Sequence, residues 1–137
     1  MKQNKYIYAI TEVVVLAIII LLAFTALNSQ YLFGWAAHNW MFYLVLSSIP
    51  LTLLILNKQI VSVLMTIGIA LGIFAGNYLG AMLRNHNIGK IIKGMAAEEV
   101  ARLHLNQGFI IWISIIILFI IIGVIMQASI KKKKLNI

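Results

Sequence analysis

Long apolar stretches alternate with short polar ones along this chain. Four apolar runs stand out, at about 6–27, 40–56, 60–83 and 109–126. Each comes close to the ~20 residues that a helix needs to cross about 30 Å of hydrocarbon. None shows the strict two-residue alternation of a barrel strand, and lipid leaves the helix as the other way to satisfy a backbone. The pattern predicts an all-α integral membrane protein, a four-transmembrane-helix bundle that makes one domain of residues 1–137. A polar loop at 84–108 separates the last two runs, and a basic tail at 127–137 follows them.

The polar punctuation refines this picture. Asn57-Lys58-Gln59 is a tight turn between the second and third runs. Segment 28–39 reads as a short loop, aromatic and rich in amides, with Tyr31, Trp35 and Trp40 placed as interfacial anchors. Within 84–108, Gly94-Met95 reads as a turn and 96–105 as a short interfacial or extracytoplasmic helix. Glu98 and Glu99 stand in its first turn, where carboxylates suit the positive end of the helix dipole. Pro50 interrupts the second run and predicts a kink there, with Ser47 near enough to serve a freed carbonyl.

Charge sets the expected orientation. Lys2, Lys5, Lys58 and the four lysines 131–134 fall on one side if the chain crosses four times. The other side takes the uncharged segment 28–39 and loop 84–108, which carries Arg84, Lys90, Lys93 and Arg102. The excess predicts that both termini are cytoplasmic. The first run is longer than a signal-peptide core and lacks a small-residue cleavage site after it, so it reads as a retained helix.

Composition agrees. Of 137 residues, 63% are hydrophobic and 10% charged, against roughly 25% charged in a soluble domain. There is no cysteine, which excludes disulfides, thiolate metal sites and cysteine nucleophiles. The net charge of +8 fits anchoring to anionic lipid, and no basic-aromatic cluster outside the runs suggests a nucleic-acid partner. Abundant Ile, Lys and Asn point to an AT-rich bacterial source, and so to a bacterial cytoplasmic membrane.

Three sets of residues are candidates for function. The first is the row Gly68, Gly72, Gly76 and Gly80 in the third run. Glycines at i, i+4 form a groove that lets another backbone approach closely in lipid. Ser62, Thr66 and Ala70, with Asn77 further along, lie on another side, and Phe74 and Tyr78 face outward. The third run is therefore expected to be central, with Asn77 also at a packing face. The second candidate is Glu12, the only acidic residue inside a run. Intramembrane carboxyls are costly and default to functional suspects. Leu16, Ile19, Ala23 and Ala26 share its face. It is a candidate ion-coupling group, and the plainer alternative is that it snorkels to the interface and pairs with Lys58. A short four-span chain with a glutamate in its first helix resembles the small multidrug resistance transporters in that one respect. That family's glutamate lies deeper, and its Trp- and Gly-containing third-helix pattern has no counterpart here.

The third set is the outer surface of Arg84, Lys90, Lys93, Glu98, Glu99 and Arg102, with His86 and His104 nearby. It could meet lipid headgroups or a partner. Glu99 and His104 are not at helical metal-ligand spacing, so no metal site is expected. No nucleophile motif, phosphate loop or carboxylate pair occurs, so neither a cofactor nor enzyme chemistry is expected. The leading expectation is a small subunit or accessory partner of a membrane assembly, packing through the glycine row as a homo-oligomer or in a larger complex. The alternative is a small oligomeric proton- or cation-coupled transporter using Glu12. A weaker one is a lipid-headgroup binder using loop 84–108.

Overall fold

A computed structural model describes residues 2–136; Met1, Ile137 and the side chains of Lys2 and Gln3 lie outside the description. The fold is all-helical, with no strand among the described residues. The helices are α1 (Lys2–Phe24), α2 (Tyr31–His38), α3 (Trp40–Ile55), α4 (Gln59–Ile88), α5 (Ala97–Leu103) and α6 (Gly108–Leu135). Three of them, α1, α4 and α6, are long and apolar enough to cross a membrane. This suggests a membrane protein. The pair α2 and α3 matches that apolar length only when taken together, and it bends by 91° at Asn39.

The expected second span is therefore not one straight helix of spanning length. At 1.5 Å per residue α3 is about 24 Å long, short of the hydrocarbon thickness. The polar loop expected at 28–39 is in large part the helix α2. Its Leu32, Phe33, Ala36 and Ala37 are all buried, and their spacing makes one apolar face. Asn77 of α4 holds its start: the Leu32 N–H donates to Asn77 Oδ1 at 3.1 Å, and Asn77 Nδ2 donates to Gln30 Oε1 at 3.2 Å. The first of these bonds satisfies one of the free N–H groups at a helix start. Trp35 is not simply an interfacial anchor either. It packs on Phe42 and Phe109, with ring centroids 5.3 and 4.6 Å away. Tyr31 and Trp40 do remain exposed.

The sharp bend lies at Asn39, whereas α3 runs unbroken through Pro50. Ser47 does not serve the freed carbonyl, because its hydroxyl makes no hydrogen bond among the described residues. The turn after α3 has a clear cause. Asn57 has φ of 63°, a left-handed conformation that Asn tolerates. Asn57 N–H donates to Leu54 O at 3.1 Å and Lys58 N–H to Leu53 O at 2.9 Å, the paired bonds of a Schellman cap.

At the centre is α4, which packs against α1, α2, α3, α5 and α6. It continues to Ile88, beyond the apolar run. The helix α6 continues to Leu135, so the expected basic tail is helical over most of its length. Two cross-links define one end of the bundle. Lys5 Nζ donates to Ile55 O and Asn57 Oδ1, at 3.0 and 3.1 Å. The Ile60 N–H donates to Gln127 Oε1 at 3.1 Å. Lys5, the Lys58 turn and the C-terminal part of α6 therefore share an end. The opposite end carries α2, α5 and Arg84, whose Nε donates to His104 O at 2.9 Å.

Candidate functional site

Glu12 lies where α1, α3 and α4 meet. Its side chain is 3% exposed, so it neither snorkels nor reaches Lys58. Leu16, Ile19 and Ala23 are buried along the same face, whereas Ala26, beyond the helix end, is exposed. The partner of Glu12 is Ser62 of α4. Ser62 Oγ is 2.7 Å from Glu12 Oε1, 2.9 Å from Oε2 and 2.7 Å from Pro50 O of α3. One hydroxyl thus ties three helices at one point.

Donors and acceptors do not balance at this junction. A serine hydroxyl carries one proton, while carboxylate and carbonyl oxygens only accept. One proton cannot serve both the carboxylate and the Pro50 carbonyl, so with Glu12 ionised the junction is at least one donor short. Thr66, one turn beyond Ser62, presents its buried hydroxyl beside the Glu12 carboxyl, its candidate acceptor. No hydrogen bond of that hydroxyl closes within 3.5 Å among the described residues, although buried polar groups are generally paired. Against this cluster lies a groove of about 380 Å³ between α1 and α4, lined by Tyr8, Thr11, Val15, Val63, Ile67 and Leu71 besides Glu12 and Thr66. Its accessible walls are apolar, and Glu12 and Thr66 are the two buried polar residues that border it.

The glycine row is placed differently. Gly68, Gly72, Gly76 and Gly80 are buried and face α6 of the same chain. A Cβ at Gly76 would stand 2.6 Å from Gly108 O, and one at Gly72 would stand 2.9 Å from Trp112 Cδ1. At Gly80 it would meet Asn106 Oδ1 and Gly108 Cα. Two further glycines of α6 complete the contact. Cβ atoms there would come 2.8 Å from Gly76 O at Gly108 and 3.0 Å from Val61 Cα at Gly123. Trp112 locks the seam by donating from Nε1 to Ile69 O at 3.0 Å. The row is occupied by intrachain packing and offers no open groove to a second molecule. Asn77 serves α2, as described above.

The outer residues are only partly brought together. Lys90, Glu99 and Arg102 line a shallow depression of about 330 Å³ with Met95 and Leu103. Arg84, Lys93 and Glu98 are exposed outside it. No group of three or more His, Asp or Glu side chains suited to a metal occurs among the described residues.

Sequence reasoning found Glu12 and noted the Ser62, Thr66, Ala70 row, but it did not join them. The missing signal was register. The polar spacing of Ser62 and Thr66 at i, i+4 marks one face, yet nothing local says that α1 lies on it. No known protein family, curated protein or solved structure matches this chain.

Proposed function

We propose that this chain is a small multi-pass membrane protein that couples ion movement to transport, working as an oligomer, with Glu12 as the coupling group. The observation that carries the reading is the Glu12–Ser62–Pro50 junction, a buried carboxyl whose hydrogen-bond set is one donor short. Such a group has two states, with and without an added positive charge, and three helices that respond to the difference. A buried, hydrogen-bonded carboxyl among membrane helices is the arrangement in which proton and ion pathways are built. In this reading the bend-bearing pair α2 and α3 makes one of four crossings. Both termini and the Lys58 turn face a bacterial cytoplasm, supported by the basic residues that gather at that end.

The test is flux in liposomes that hold a pH-sensitive dye and the reconstituted protein. Opposing gradients of sodium, potassium or a small organic ammonium are imposed in turn. At least one of them should drive proton movement through the native protein, and Glu12→Gln should reduce that movement to the level of empty liposomes. Equal movement in Glu12→Gln, or none above empty liposomes with any cation, overturns the proposal.

A second reading is a subunit or lipid-headgroup contact of a larger membrane assembly. The outer segment supports it: Ile92 and Leu105 are exposed beside the depression lined by Lys90 and Arg102, a mixture suited to an interface of lipid or protein. Isolation in mild detergent with mass analysis distinguishes the two. A stoichiometric second protein favours the subunit, and a homo-oligomer favours the transporter.

A further inference from the structure

We infer that the junction of α1, α3 and α4 is a binding site for a small monovalent cation, sodium in the first place, held entirely by oxygen. The inference deepens the ion-coupled reading of Glu12 and rests on it. The donor set is on three helices: both carboxylate oxygens of Glu12, the hydroxyls of Ser62 and Thr66, and the carbonyl of Pro50. Three contacts of 2.7–2.9 Å already join Ser62 Oγ to the Glu12 and Pro50 oxygens. The fifth oxygen, Thr66 Oγ1, belongs to a side chain only 4% exposed and has no hydrogen-bond partner among the described residues. A buried hydroxyl kept beside a carboxyl yet without a hydrogen bond closed to within 3.5 Å is explained if both have a ligand to meet.

The chemistry of the set selects the class of ion. Carboxylate, hydroxyl and carbonyl oxygens suit hard cations, and no imidazole or thiolate is present to favour a softer one. Charge selects valence. Glu12 brings a single negative charge into apolar surroundings, so one monovalent ion neutralises it. A divalent ion would leave a net charge, which is costly at that depth. Size follows from Ser62 Oγ already lying within hydrogen-bond distance of the Glu12 and Pro50 oxygens. A small ion needs only a modest outward shift, whereas a large one needs the three helices to separate. The acceptor surplus at Ser62 has the same meaning. A cation between these oxygens satisfies several lone pairs at once and leaves the Ser62 proton free to bond where it fits.

The apolar α1–α4 groove borders Glu12 and Thr66, and the bundle end that carries Lys58 and Gln59 begins one turn before Ser62. Thr11 lies in the same groove but outside the oxygen set, and so serves as a control. Thr66→Val keeps the shape of the side chain and removes the hydroxyl.

The experiment is thermal unfolding of the purified full chain in detergent. It compares sodium chloride with potassium chloride and choline chloride at equal ionic strength. A ligand that binds only the folded state raises the melting temperature with its concentration. Sodium should raise the melting temperature of the native protein and of Thr11→Val by several degrees over choline. In Glu12→Gln and Thr66→Val the sodium-specific rise should be lost. A rise of the same size with all three salts, or a sodium-specific rise that persists in Thr66→Val, overturns the site. Either result leaves the flux test of Glu12 standing, because a proton alone can occupy the carboxyl. Flux that is absent with every cation would remove the coupled reading instead.

Discussion

At the scale of single residues, two pairs of like residues make opposite predictions. Ser62 and Thr66 lie one turn apart on the same face, yet their hydroxyls are placed differently. Ser62→Ala removes the one side-chain partner that meets both oxygens of Glu12, and a buried acceptor left without its donor costs about 1–3 kcal/mol. Thr66→Val removes a hydroxyl that has no bond to lose, so in choline it should change stability little or raise it. Unfolding in detergent without sodium measures both. A loss in Thr66→Val as large as that in Ser62→Ala would mean that the Thr66 hydroxyl is bonded after all. The glycines make a similar contrast. Gly76→Ala drives a methyl against the Gly108 carbonyl, backbone that cannot rotate away, and overpacking of that kind costs about 1–3 kcal/mol. A Cβ at Gly94 meets nothing within 4 Å, but its φ of +89° still disfavours a side chain, at a cost of about 1–2 kcal/mol. Gly76→Ala should therefore loosen the α4–α6 seam, and Gly94→Ala should act on its turn alone. Glu12 and the glycine row were legible in the sequence because each breaks a local rule, a charge in an apolar run and glycine in a helix. Their partners were not, because Ser62, Gly108 and Trp112 are unremarkable until the helices are set side by side.

At the scale of elements, the sequence announces the long helices α1, α4 and α6, whose apolar runs dominate their local patterns. It conceals α2. That helix is short, begins beside amides and carries a glycine, and its stability comes from outside itself. Asn77 receives its first-turn N–H, and Phe33 packs edge-on against Phe74, with centroids 5.1 Å apart. Isolated helices of this length are marginal in water, so tertiary contact decides the matter. The dependence is testable. Asn77→Leu keeps the volume and removes both hydrogen bonds. Hydrogen exchange over 28–38 should then quicken, while exchange in α4 and α6 stays slow. Unchanged exchange in α2 would mean that Asn77 is incidental to it. Pro50 does not interrupt α3: proline removes one backbone bond, and α3 packs against both α1 and α4. The sharp bend of the chain lies instead at Asn39.

At the scale of the whole molecule, the role of Glu12 depends on how the chain threads the bilayer. The contacts from Lys5 to Asn57 and from Ile60 to Gln127 gather the basic residues at one end, and the bent pair α2 and α3 must complete a crossing for that end to be cytoplasmic. Charge alone does not fix the threading, since loop 84–108 carries four cations of its own. The absence of cysteine in the sequence makes the decisive measurement clean. Single cysteines are introduced as Ser29→Cys, Lys58→Cys and Lys133→Cys, at exposed positions on either side of the α2–α3 pair and near the end of α6, and labelled in sealed vesicles with a thiol reagent that does not cross the membrane. Four crossings predict that positions 58 and 133 react from one side and position 29 from the other. Labelling of position 58 from the same side as position 29 would contradict this. The α2–α3 pair would then turn back within the membrane, and Glu12 would lose the place that its proposed role requires.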